Sequence, residues 1–169
     1  MEVAGMKLSR EKIREFVRYL RETCGLKDDL YFPIVQFIEF GLANPICSDF
    51  NYEIVTTEDM GDMYGVTNTS DNTMKIREDV YWGAVKGVPR DRFTLCHELG
   101  HYFLHQPEFM SFARGDIPYY RNPEWQANTF AGELMAPYDL TRNMDADEIM
   151  KKCGMSRQAA TIQYKEYHR

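Results

Sequence analysis

Two histidines four residues apart, with a glutamate beside the first, make His97-Glu98-Leu99-Gly100-His101 an HExxH pattern. On a helix, residues four apart share a face, so both imidazoles reach one ion while Glu98 projects beside it. The chemistry this permits is metal-assisted hydrolysis. A zinc ion lowers the pKa of a bound water to about 7; a carboxylate beside that water takes its proton as a peptide carbonyl is attacked, then returns it to the leaving amine. Shuffling a chain of this composition yields the five letters on the order of once in a hundred times, so the neighbouring sequence must decide.

That neighbourhood is helical. Asp91 reads as an N-cap, and Phe93, Leu95, Leu99 and Phe103 supply apolar anchorage for a helix of three to four turns. Two histidines fall short of a catalytic zinc, which takes three protein ligands and keeps a position for water. His105, Glu108, Asp116, Glu124 and Glu133 are the candidates for the third. His105 continues the spacing but stands eight residues from His97, roughly 12 Å along a straight helix axis, too far to share its ion. Leu104 and Pro107 occupy the places where the extended metzincin pattern has Gly and a third His, so that class is excluded.

A carboxylate from another helix remains, and one is well signposted. Asn122 is a natural N-cap, Pro123 suits the first helical position, and Glu124-Trp-Gln-Ala-Asn-Thr-Phe-Ala-Gly-Glu-Leu-Met-Ala-Pro137 follows, stopped by its proline. Glu124 and Asn128 share an i, i+4 face. Glu124 is the first choice for third ligand, with Asn128 orienting a ligand imidazole from behind, and Glu133 is the next choice. The oxyanion of a peptidase transition state needs a further donor, for which Tyr119 and Tyr120 in the connection before Asn122 are candidates.

These helices need a scaffold. From Ser9, an N-cap, Ile13, Phe16, Val17 and Leu20 fall at helical spacing to about Cys24, with Leu8 and Ile13 as a staple; Phe32 to Phe40 reads as a short buried helix closed by Gly41. Tyr52 to Val55, Met63 to Thr67 and Met74 to Trp82 read as three strands, separated by turn clusters such as Thr69-Ser-Asp-Asn72. The alternation of Met74 and Ile76 with Lys75, Arg77 and Asp79 suggests a half-solvated strand at the sheet edge. In the tail, a helix from Asp145, a turn at Gly154 and a second helix capped by Ser156 have helix-turn-helix spacing. The expected fold is one α+β domain: N-terminal helices over 1–50, a small three-stranded, mostly antiparallel sheet over 51–82, metal-site helices over 90–137 and a helical pair over 138–169.

Composition narrows the class of function. The 169 residues carry a net charge of −6 and no long basic run, which argues against a general nucleic-acid binder, so the tail is expected to pack on the domain rather than contact DNA. Residues 28 to 80 hold 11 acidic and 2 basic side chains, which reads first as a solvated face and second as a field that attracts a basic protein. No window approaches a membrane span and the start lacks a secretory h-region, while Cys24, Cys47, Cys96 and Cys153 form no CxxC pair. A cytoplasmic protein with free thiols and no membrane partner is expected.

The run Arg92-Phe-Thr-Leu-Cys-His-Glu-Leu-Gly-His-Tyr-Phe-Leu-His105, followed by the Glu124 to Pro137 block, resembles the ImmA/IrrE family of zinc metallopeptidases. The resemblance implies a zincin-like domain with His97, His101 and Glu124 as zinc ligands and Glu98 as catalytic base. It also implies a protein substrate, a helix-turn-helix repressor or antitoxin cut to derepress mobile-element or stress genes. One departure is Ala136, where the family more often runs straight from Met to Pro. The alternative is an antirepressor that keeps the zincin scaffold and acts by binding the repressor without hydrolysis. Nothing in the sequence specifies an oligomeric state.

Overall fold

The computed structural model describes residues 8–40, 50–105 and 122–169. Helix α1 (Arg10–Thr23) starts where Ser9 accepts a hydrogen bond from the Lys12 N–H, and it buries Ile13, Val17 and Leu20. A short helix α2 (Ile34–Gln36) continues as a wider π-type turn to residue 40. Strand β1 (Asn51–Val55), helix α3 (Thr57–Met60), strand β2 (Gly65–Asn68) and strand β3 (Thr73–Arg77) follow. Helices α4 (Glu78–Val85), α5 (Pro89–Leu104), α6 (Pro123–Met135), α7 (Tyr138–Thr141), α8 (Ala146–Cys153) and α9 (Arg157–Tyr167) complete the described elements. None of the described helices is long and apolar enough to cross a membrane.

The sheet is mixed rather than mostly antiparallel. Its order is β1-β3-β2, with β1 parallel to β3 and β2 antiparallel to it. The β2–β3 connection is the expected turn: Asn68 and Asp71 side chains accept from the Ser70 and Thr73 N–H groups, and Asn72 takes φ +55°. β3 lies at the centre of the sheet, not at its edge. Met74 and Ile76 are fully buried while Lys75 is exposed, because one face of the sheet is covered and the other is wet. Alternation reports that difference between faces; it carries no information about which strands flank β3.

The segment Val80-Tyr-Trp82, expected as strand, is helical. The acids Glu78 and Asp79 sit in the first turn of α4, where the helix dipole favours them, and Val80, Tyr81 and Ala84 form its buried side. Helix α5 begins two residues before Asp91: Val88 is the N-cap and Pro89 takes the first turn, while Asp91 lies 6 % exposed against Gly83. Burial pushes the Asp91 carboxyl above its usual range.

The core gathers Phe32, Ile34, Leu95, Leu99, Phe130, Leu134 and Ile149 among its fully or nearly fully buried side chains. Arg21 reaches into it from α1, donating through Nε to the Leu134 carbonyl at 3.1 Å and so satisfying the end of α6. Glu133, fully buried on α6, accepts from Arg14 at 2.9 Å and from the Tyr167 hydroxyl at 2.6 Å, with Arg10 at 3.5 Å. This cluster ties α1, α6 and α9 together, and it places Glu133 in a structural ion pair. Replacing Glu133 by Ala leaves two half-buried guanidinium groups without their counter-charge, and is expected to cost about 3 kcal/mol. Denaturant unfolding of the two proteins measures it.

Candidate metal centre

Helix α5 presents its histidines on one side and its apolar residues on the other. Leu95, Cys96, Leu99 and Tyr102 face the core, so His97 and His101 are turned outward, part-exposed, toward α6. Burial pushes the Cys96 thiol up to about 12, which leaves it a protonated core residue despite its place beside His97. The approach of α6 depends on Gly100: a Cβ there would stand 3.0 Å from a Phe130 ring carbon and 3.1 Å from the Ala127 Cα. Small residues at this crossing let the N-terminal turn of α6 lie against the histidine face.

Asn122 caps that turn, its side chain accepting from the Glu124 N–H at 2.8 Å. The Glu124 carboxylate then straddles the two rings, with Oε2 3.1 Å from His97 Nε2 and Oε1 3.0 Å from His101 Nε2. The two Nε2 atoms are themselves 3.1 Å apart. Three ligand groups, the two Nε2 atoms and the two-oxygen carboxylate of Glu124, thus form a triangle whose contacts are 3.0–3.1 Å, close to the roughly 3.3 Å separation that a tetrahedron of about 2.0–2.1 Å bonds requires. Burial, followed by the charge of His97, holds the His101 ring down to about 4, so at neutral pH it is an uncharged base and its contact with Glu124 is no ion pair.

The outer ring nitrogens are also engaged. His97 Nδ1 lies 2.8 Å from the Asn128 side-chain oxygen, one turn along α6 from Glu124. With a proton on Nδ1 shared with that oxygen, the His97 Nε2 keeps a bare lone pair facing the triangle. Lone pairs and a carboxylate crowded together in this way form a donor set suited to a cation. A donor set of two imidazoles and a carboxylate fits zinc, and it fits no all-oxygen calcium or magnesium cage.

Glu98 points elsewhere. Its carboxylate is 7 % exposed, Oε2 accepts from the Thr67 hydroxyl at 2.7 Å, and burial raises its pKa against the opposing pull of that hydrogen bond and of His97. His97, Glu98 and His101 carry ligand-type atoms within 4.8 Å of one another, so the second carboxylate stands beside the triangle as well. Strand β2 is what holds it. Gly65 leaves space for the Glu98 side chain, since a Cβ at that position would come within 2.9 Å of Glu98 Cγ. Thr67→Val removes the donor without changing the side-chain shape, and is expected to lower turnover about tenfold with metal content unchanged, read by parallel metal and rate assays.

Of the residues singled out from sequence, the structure brings His97, Glu98, His101, Glu124 and Asn128 together. Glu133 is held away in its pair with Arg14 and Tyr167. Tyr119 and Tyr120, with Glu108 and Asp116, lie outside the described residues. Sequence reasoning missed Thr67, Gly65 and Gln126. Gln126 accepts through Oε1 from His105 Nε2 at 2.8 Å, and the only hint was that it falls between Glu124 and Asn128.

A family model described as the IrrE N-terminal-like domain, a peptidase family, matches residues 51–163, from β1 into α9. No curated protein and no solved structure matches the chain.

Proposed function

The chain belongs to the IrrE N-terminal-like peptidase family, and from that premise we propose that it is a zinc-dependent endopeptidase whose substrate is a helix-turn-helix repressor or antitoxin. The observation that carries the reading is the convergence of His97 Nε2, His101 Nε2 and both Glu124 oxygens at 3.0–3.1 Å, with a second, buried carboxylate beside them. His97, His101 and Glu124 would hold the metal. Zinc, when bound there, polarises a peptide carbonyl and acidifies water.

The two carboxylates divide the work by environment. Glu124 has a side chain 68 % exposed and meets both imidazoles, which suits a ligand. Glu98 is buried, with a raised pKa, and a carboxylate oxygen beside the triangle can take a proton from water and pass it to the leaving amine. Thr67 and Gly65 keep that oxygen in place, while Asn128 holds the ring of His97. Recognition of a DNA-binding protein is supported by charge: the net of −6, with 11 acidic against 2 basic side chains in residues 28 to 80, complements the basic surface such a regulator presents to DNA.

The reading is tested by incubating the zinc-loaded protein with the helix-turn-helix regulator encoded beside its gene, and following the regulator by mass spectrometry. The expected result is a discrete cut that a chelator prevents and added zinc restores. An intact regulator after many hours with fully loaded protein would remove hydrolysis of that target and favour sequestration.

A further inference from the structure

Behind His101, on the side away from the triangle, two buried polar side chains form a chain of hydrogen bonds that the hydrolytic chemistry above does not use. His101 Nδ1 lies 2.8 Å from His105 Nδ1, and His105 Nε2 lies 2.8 Å from Gln126 Oε1. His105 is 5 % exposed and Gln126 3 %. We propose that His105 and Gln126 are positioning residues which fix His101 in the tautomer that presents a bare Nε2 to the metal, a role that rests on the metallopeptidase reading.

The direction of the chain follows from proton counting. A carbonyl oxygen can only accept, so His105 Nε2 carries the hydrogen that binds Gln126 Oε1. A neutral imidazole carries a single hydrogen, so with that hydrogen on Nε2 the Nδ1 of His105, 2.8 Å from His101 Nδ1, is an acceptor. The two Nδ1 atoms, unlike the Nε2 pair that faces the metal position, have no cation position between them, so their 2.8 Å contact is a hydrogen bond whose hydrogen belongs to His101 Nδ1. The neutral ring of His101 then has no hydrogen on Nε2, the atom 3.0 Å from Glu124. Which way the amide of Gln126 faces sets the whole sequence; reversed, it would donate to His105 and push the hydrogen of His101 onto Nε2, closing that nitrogen to a metal.

The backbone supports the same role. His105 is the C-cap of α5, with φ −121° and ψ 41°, and its N–H donates to the His101 carbonyl at 3.0 Å. Leaving helical geometry at this residue folds its ring back over the last turn. The eight-residue spacing that bars His105 from the ion of His97 puts it against the far edge of His101. Gln126 stands on the buried side of α6, two residues from Glu124, so one helix supplies the exposed carboxylate, the Asn128 contact on His97 and the Gln126 contact on His105.

The test combines histidine tautomers with metal affinity. Long-range proton–nitrogen spectra of the metal-free, nitrogen-15 labelled wild type should show His101 protonated on Nδ1 and His105 on Nε2. Zinc affinity, measured by competition with a chromophoric chelator, should fall about 10–100-fold in His105→Leu and in Gln126→Leu, and His105→Gln, which restores an acceptor, should recover most of it. Circular dichroism establishes that each variant is folded; if His105→Leu is not, the wild-type tautomers and Gln126→Leu decide. His101 protonated on Nε2 in the wild type, or Leu variants that bind zinc within twofold of wild type, would overturn the proposal. Failure of the wild type to bind zinc at all would instead defeat the metallopeptidase reading, with the tautomer measurement still standing.

Discussion

Glu98→Gln is expected to retain stoichiometric zinc and to lose hydrolysis by about a hundred- to ten-thousandfold, the range a positioned general base contributes. Glutamine has the shape of glutamate, so it fits the space left by Gly65 and can still accept from Thr67. It removes only the capacity to take a proton. Because the Glu98 side chain is already buried and its charge disfavoured by that burial, the neutral amide should leave the fold as stable as before or more so. Paired metal and cleavage assays read the result. A variant that still relieves repression in cells while cutting nothing would show that binding alone suffices, the antirepressor alternative.

The second large effect is at Glu124. Its replacement by Ala is expected to weaken zinc binding on the order of a thousandfold, beyond the 10–100-fold that outer partners of a metal site carry. The fold should hardly respond. The side chain is 68 % exposed, the helix start is capped by Asn122 through backbone N–H groups, and truncation of a surface residue of this kind changes stability by about 0.5 kcal/mol or less. Thermal melts separate the two quantities: metal-free wild type and variant should melt together, and only the wild type should gain stability from added zinc. Loss of stability in the metal-free variant would mean that Glu124 supports α6 rather than a metal.

Much of this was legible because local signals were strong and agreed with one another. Ser9, Asn122 and Ser156 each cap the helix their sequence announces, and Gly154 adopts the left-handed φ of +65° that ends α8. The HExxH spacing is a local, one-turn relation, so it survived translation into three dimensions without any knowledge of the fold. What was not legible was non-local. The parallel pairing of β1 with β3 depends on two segments separated by α3 and β2, and the exposed side chains of β1 give no alternation to betray it. Val80 to Trp82 misled because apolar aromatic runs of three residues fit either period. Thr67 reaches Glu98 from a strand 31 residues away, and Gln126 reaches His105 across 21, so neither could be inferred from spacing. The Glu133 cluster shows the same limit from the other side. Its sequence position suited a ligand, and only the packing of α1 and α9 reveals that Arg14 and Tyr167 already hold it.

A crystal of the zinc-loaded protein, measured at the zinc absorption edge, reaches the site itself. One anomalous peak is predicted, about 2.0–2.2 Å from His97 Nε2, His101 Nε2 and a Glu124 oxygen, with Glu98 free to meet water. A peak bonded to Glu98 in place of Glu124, or no peak between the two histidines, would contradict the assignment of ligand and base.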